Sequence, residues 1–455
     1  MWMLLRCVRG LFPVSLGRAA AAVGFLALSF GSAEGQSSVW TARYNGNGQP
    51  SDNAVDSNDN VYVVGTILTS TQEDVVLMKY DFEGNRQWFR RFDGKEHLDD
   101  IGAKVAVDPA GHAIIAGMTR TTASGNRYEF VTAKYDPAGN RVWARLYGVA
   151  NQTGRVEALQ VDAAGNVYLA CTVGPSGGPT DVLLVKYGSD GTMLWDRRYD
   201  GGDGTRSDAA SAMAIASNGD AIVVGSSVRP STGRDLLTLR FSAAGSLVWT
   251  RTHTGEAIVA ADGASAAAID ATGAIFVAGT VDRTASGMGT DWVLLKYDAS
   301  GSLGWLKYFN SGNGRDDWAE ALALDGNGNA FVAGYAEDAN GQFNMMTVKY
   351  AGSGTRLWYR AYDGPAGGDD GVFEMAADAE GSVVVTGSSM GTRGNMDVAT
   401  IKYDLNGVRL WTRRFGAAQY SDMPASIVFD SSLHPIVTGV TWASTPRFWT
   451  VKYFP

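Results

Sequence analysis

From about residue 38 onward, apolar positions come in short runs that alternate with small or polar residues, and no long run keeps a helical period. One stretch shows the pattern well: SAAAID (265–270), AIFVAGT (274–280), WVLLKYD (292–298) and LGWLKYF (303–309). Period-two alternation over five to seven residues predicts half-buried strands. A D-x-x-G tract sits between the first and second runs and again between the third and fourth, where Asp and Gly favour tight turns. Each unit therefore predicts a four-stranded antiparallel meander.

The unit repeats. An aromatic residue stands eight positions before a tryptophan at Tyr80/Trp88, Tyr135/Trp143, Tyr187/Trp195, Phe241/Trp249, Tyr297/Trp305, Tyr350/Trp358 and Tyr403/Trp411, and successive copies lie 52 to 56 residues apart. Upstream of each pair, a second element ends on Gly65, Gly117, Gly225, Gly279, Gly334, Gly387 or Gly439, with Cys171 in that place in the third copy. An aspartate precedes that position by nine residues in every copy except the fourth, which has Ala216. Four short strands in about 53 residues make one propeller blade. At the ends, Trp40 belongs to a fourth strand with no first three before it, while Lys452 and Tyr453 end a third strand with no fourth after it. The expected fold is all-β: a single β-propeller of eight four-stranded blades, the last completed by the N-terminal strand so that no sheet edge is left open there. The alternative is seven blades with one unit outside the ring.

Residues that recur in every blade are assigned to architecture. The repeated indole should be buried against the next blade, where about 200 Å² at about 25 cal/mol per Å² gives at most about 5 kcal/mol per contact. Two residues after each repeat Trp lies a base (Arg90, Arg145, Arg197, Arg251, Lys307, Arg360, Arg413), on the same face as the Trp. It is expected to serve as an interblade ion-pair or stacking partner.

Composition changes the picture at the N-terminus. Arg6, Arg9 and Arg18 lead into a 12-residue apolar run, Ala19 to Phe30, followed by small residues at Ala33 and Gly35. This predicts a signal peptide over 1–35, cut after Ala33 or Gly35, and a propeller domain over 36–455. The run is short for a membrane span, and Cys7 precedes it, the wrong side for a lipid-modified cysteine. The mature chain would be secreted, periplasmic or at the cell surface, with no membrane insertion. It keeps one cysteine, Cys171, so no intramolecular disulfide can form. The net charge of −9 becomes −11 once three Arg and one Glu leave with the leader. That acidity repels phosphate backbones and anionic lipid, and argues against nucleic acid as a partner.

The tract D-x-x-[VL]-x-K-Y-D-x-x-G-x-x-x-W resembles the bacterial β-propeller repeat family known as SBBP, over essentially residues 38–455. That resemblance implies an extracytoplasmic propeller and transfers no binding residue. The D-x-x-G-x-x-x-W half is also similar to the tryptophan-docking motif of quinoprotein propellers, which are eight-bladed. This would imply an alcohol or sugar dehydrogenase using PQQ and calcium. Those enzymes carry an adjacent cysteine pair, which a chain with Cys171 alone lacks.

Little else carries chemistry. His112 and His434 occupy a turn slot that holds Asn60 or Asn166 in other copies, and neither a zinc motif nor a Ser/His triad nor a P-loop is present. The strings Asp56-Asn58-Asn60 and Asp325-Asn327-Asn329 invite a calcium reading. An EF-hand loop would need Glu where Ile67 and Ala336 stand, and both strings fall on ordinary first-to-second turns. No residue is assigned to catalysis, a metal or a cofactor, calcium remaining an alternative. In a meander the second-to-third and interblade loops share one face, and here they are the long, variable ones; recognition belongs there. Aspartates open the inner strands at that face: Asp100, Asp208, Asp262, Asp317, Asp370 and Asp422, three of them doubled by Asp99, Asp316 and Asp369. They either ring a channel mouth for cations or a basic ligand, or hold backbone N–H groups. Trp318 beside Asp316 and Asp317, and Trp442 in a variable loop, break the repeat and can stack a sugar or a cation. The candidate ligand-binding set is therefore Trp318, Asp316, Asp317, Trp442, Asp370 and Asp262. The expected function is a non-enzymatic scaffold for a protein or glycan partner; the alternative is a propeller-based polysaccharide lyase or hydrolase.

Overall fold

The computed structural model describes residues 38–455 except 123–127, 149–151, 203, 257–261, 313 and 418; the expected leader, 1–35, lies outside the described residues. Eight four-stranded antiparallel sheets follow one another, and seven run in simple sequence order: 48–92, 100–147, 153–199, 208–253, 263–309, 317–362 and 370–415, blades 1 to 7. The eighth takes three strands from the C-terminal end, Ser421–Phe429, Pro435–Trp442 and Arg447–Tyr453, and its outer strand from the N-terminal end, Ser38–Tyr44. Ser38 pairs with Tyr453 and Trp40 with Lys452. The first strand of every blade touches the first strands of both neighbours, and that of blade 8 touches that of blade 1. The ring has eight blades and is closed as expected; seven is excluded.

Every first strand carries a register shift near its middle, such as Ala210/Ala212 opposite Gly225 and Val224. The bulge pushes a carbonyl toward the second strand: a Cβ on Gly225 would lie 1.9 Å from the Ala209 oxygen, which accounts for the recurring glycine. Second and third strands are buried almost throughout and pack blade against blade as a chain of apolar clusters; Tyr168, Phe276 and Phe331 have no exposed surface.

The repeat Trp docks on the next blade. Indole Nε1 of Trp40, Trp88, Trp143, Trp195, Trp249, Trp305 and Trp358 donates at 2.9–3.2 Å to a carbonyl in the following blade's third-to-fourth turn. The ring lies flat under that turn's glycine. Gly191 has φ +81°, and a Cβ there would sit 2.7 Å from Trp143. In blades 1 to 4 and 6 the arginine two residues on stacks on its own indole, Arg197 at 5.7 Å, and donates Nε to the glycine carbonyl, Arg197 to Gly245 at 2.6 Å. It is a stacking partner, with a neutral carbonyl in place of an ion-pair partner. The third-strand lysine reaches the same carbonyl as the Trp while pairing with its own blade's aspartate: Lys134 lies 2.7 Å from Asp108 and 3.0 Å from the Ser189 oxygen.

Two places depart from this scheme. In blade 4 the acid missing at Ala216 reappears at Asp220, and Arg240, in the lysine slot, pairs with it at 2.7 Å and with the Ala299 oxygen. At the junction of blades 7 and 8, where the third and fourth strands come from opposite ends of the chain, the buried Nε1 of Trp411 has no acceptor among the described residues.

Candidate functional site

The six predicted residues are spread over four blades. Asp262 opens blade 5, Asp316, Asp317 and Trp318 open blade 6, Asp370 opens blade 7, and Trp442 ends the second strand of blade 8. Asp262, Asp317 and Asp370 are fully buried. Each accepts the backbone N–H of the second residue of the incoming interblade loop, Gly255 at 2.5 Å, Ser311 at 2.7 Å and Gly364 respectively. Asp100, Asp208 and Asp422 do the same for Gly94, Gly201 and Ala417. These carboxyls hold the crossovers between blades and present no surface to a solute. Burial raises the pKa of all six, Asp317 to about 7 and Asp100, Asp370 and Asp422 to about 6, with Asp291 adding to the effect at Asp317. The doubled acids stitch neighbouring blades: Asp316 accepts from Thr290 N at 2.9 Å, Asp99 from Glu73 N at 3.2 Å and Asp369 from Phe343 N at 3.1 Å.

The tryptophans differ. Trp318 is half-buried and packs with Tyr335 and Phe343, both at 5.3 Å; Tyr335 and Phe343 are 5.6 Å apart. This aromatic group has its base on the first two strands of blade 6 and its top at the second-to-third loop. Trp442, also half-buried, donates its N–H to the Met423 sulfur at 3.2 Å. Blade 7 lies between the two. Trp292 and Trp449, the other non-repeat tryptophans, are buried in the core.

A cluster not anticipated from the sequence lies between blades 4 and 5. Tyr308 Oη is 3.2 Å from His253 Nε2, and the Arg283 guanidinium lies 4.4 Å over the Tyr308 ring. Arg283 also pairs with Asp291 at 2.9 Å and Glu256 at 3.4 Å. Tyr308 is 39 % exposed. Burial lowers the pKa of His253, so the imidazole is neutral at pH 7, and burial raises that of Tyr308, with Arg283 opposing. The departure from the repeat explains the cluster. Three residues after the Trp, blades 1, 3 and 7 have Arg91, Arg198 and Arg414, each paired with the acid that opens the third strand. Blade 5 has Tyr308 there, so the acid, Asp291, is served instead by Arg283 from the loop, and the tyrosine hydroxyl turns to blade 4. A signal existed: His253 stands in a slot that the other complete blades fill with Phe or Tyr, and Tyr308 in one that no other of them fills with an aromatic. They are 55 positions apart, and only the ring joins them.

Two groups of acids bring carboxylate oxygens within 4.8 Å of one another, Asp74/Asp93/Asp100 and Asp181/Asp200/Asp208. A cation there would compete with Arg91 and Arg198, which already pair with Asp74 and Asp181. The Asp56 and Asp325 carboxylates cap their own turns, accepting from Asn58 and Asn60 and from Asn327 and Asn329. His112 and His434 sit on Asp108 and Asp430 in the same turn slot. Cys171 is fully buried and is the single cysteine among the described residues, so these residues do not supply the adjacent cysteine pair of a quinone site.

No protein-family model and no curated protein matches the chain. Among solved structures it is similar to Sqt1 from Chaetomium thermophilum, at a TM-score of 0.57 and 11 % identity over 92 % of this chain and 99 % of that one. It is similar to the same protein bound to the N-terminus of the ribosomal protein L10, at 0.54 and 10 % over 92 % and 100 %. A polysaccharide lyase of family PL25, an ulvan lyase bound to -[GlcA(1-4)Rha3S]-, gives 0.50 and 11 % over 90 % and 95 %. At such identities the likeness establishes the propeller fold alone.

Proposed function

We propose that the chain is an extracytoplasmic propeller of the SBBP repeat type, and that its variable-loop face binds a protein or glycan partner without transforming it. The observation that carries this reading is the Trp318–Tyr335–Phe343 group. It is a packed aromatic surface at the recognition face of one blade; the other blades have no aromatic in the places of Trp318 and Tyr335, and only Tyr128 of blade 2 matches Phe343. Rigid aromatic anchors of this kind dominate binding energy at interfaces. Similar propellers bind a protein segment or a glycan. Glycan-array and affinity-capture profiles of the mature domain should lose their principal ligand in a Trp318→Ala, Trp442→Ala double variant. Identical profiles would remove these residues from the site.

A second reading, a polysaccharide lyase or hydrolase, is favoured by the Tyr308–His253 pair, a hydroxyl and a neutral imidazole in hydrogen-bond contact beside a guanidinium. Turnover of any polysaccharide by the purified protein, abolished in Tyr308→Phe, would establish it over the first.

A further inference from the structure

Charge on the variable-loop face is not evenly spread. In the described loops of blades 5 and 6, Glu256, Asp282, Glu337, Asp338 and Asp363 all have solvent exposure, and they face only two bases, Arg283 and Arg315. Elsewhere on the same face bases are more prominent, since Arg229 and Arg234 flank the loop of blade 4, Arg393 lies in that of blade 7 and Arg447 opens the third strand of blade 8, although the loop between blades 1 and 2 also carries Asp93, Glu96 and Asp99 against Lys95. The buried inner-strand acids do not enter this count, since they are engaged with backbone. The acidic sector is also the aromatic one, holding Tyr308 at one side and the Trp318 group at the other. It already contains a worked example of what it accommodates: the Arg283 guanidinium rests on the Tyr308 ring, with carboxylates of Asp291 and Glu256 at its edges. Cations held by an aromatic face and flanking acids are a recurrent recognition mode.

We propose that the partner on this sector is a lysine- and arginine-rich extended segment of a protein, seated across blades 5 and 6 against Trp318 and Tyr308. This rests on the reading of the face as a binding surface and narrows it from two ligand classes to one. A cationic segment gains from the local excess of acid, is steered to blades 5 and 6 by the bases on either side, and can stack a guanidinium group at the Trp318 position, the Tyr308 ring already holding Arg283. A polyanionic glycan meets repulsion in the same sector.

The test uses octa-arginine as probe, titrated by fluorescence anisotropy against the mature protein, with a set of neutral and uronate oligosaccharides alongside. Binding should weaken about tenfold between about 50 and 300 mM NaCl, as screening shortens the reach of the sector's charge. Glu337→Gln with Asp338→Asn should weaken it about three- to tenfold, and Trp318→Ala by a similar factor. Glu96→Gln, an exposed acid between blades 1 and 2, should leave it unchanged. Matching thermal melts show that each variant is folded. Equal losses in the sector and control variants, or affinity indifferent to salt, would overturn the proposal. Oligosaccharide binding that depends on Trp318, with no peptide bound, would overturn it while leaving the binding face intact. No ligand of either kind would remove both.

Discussion

Asp317 links stability to pH in a direction opposite to that of an ordinary surface acid. Its side chain has no exposed area, and one oxygen accepts the Ser311 N–H at 2.7 Å. Burial raises its pKa to about 7 from 3.8, helped by the nearby Asp291 carboxylate. The folded chain therefore holds a proton between about pH 4 and 7 that the unfolded chain has released, and stability falls as pH rises through that window. About three pKa units at 1.36 kcal/mol each set an upper limit of about 4 kcal/mol for the loss. Asp317→Asn keeps an acceptor for Ser311 and cannot ionise. Urea unfolding followed by tryptophan fluorescence at several pH values from 4 to 8 should show the variant near the parent, or slightly below it, at the acid end. The variant should gain on the parent by about 2 to 4 kcal/mol toward the alkaline end. Parallel curves for the two proteins would refute the assignment. Asp108, Asp162, Asp270, Asp325 and Asp430 oppose this trend: hydrogen bonds, with lysine partners for most, lower their pKa values against the burial that raises them, and their contribution is lost as pH falls below about 4. The parent should therefore be most stable in mildly acid solution.

The docking scheme and the ring closure give two further expectations. Trp195→Phe should cost about 1 kcal/mol more than Trp411→Phe in urea unfolding, because Trp195 loses a hydrogen bond to the Ala243 oxygen and Trp411 has none to lose; equal costs would mean that the indole N–H contributes nothing to docking. Removing Ser38–Tyr44 strips the outer strand from blade 8, together with Trp40 and its bond to Phe82. The shortened chain should melt well below the parent and associate through the exposed edge in sedimentation runs, and an unchanged melting temperature would contradict the closed ring.

The architecture was readable because it is repeated. Tyr80 and Trp88 give little information by themselves, but seven copies at nearly constant spacing define the blade, and the unmatched halves at Trp40 and Tyr453 define the closure. The candidate site lay largely outside what repetition can reveal. An aspartate at the mouth of a strand reads the same whether it faces solvent or turns back on the chain. What separates Asp317 from a ligand-binding acid is the path of the crossover that brings Ser311 N–H over it, and that path depends on the packing of two blades. The exchange at blade 4, Ala216 for the acid with Asp220 and Arg240 taking over the pair, is visible in the sequence only as a loss. Tyr308 and His253 likewise acquire meaning only when adjoining blades bring them within 3.2 Å.

Sharing one sheet between the two ends of the chain also orders events in time. The strand Ser38–Tyr44 leaves a ribosome before any of the seven complete blades, yet its partner, Arg447–Tyr453, follows all of them. Seven blades can gather as an open horseshoe while this strand waits, and joining ends separated by several hundred residues costs an unfolded chain about 5 kcal/mol of loop entropy, much of it already spent once those blades have stacked. Closure is then a late, latch-like step. Once made, it ties local fraying of either strand to the opening of the whole ring, which favours a long-lived native state.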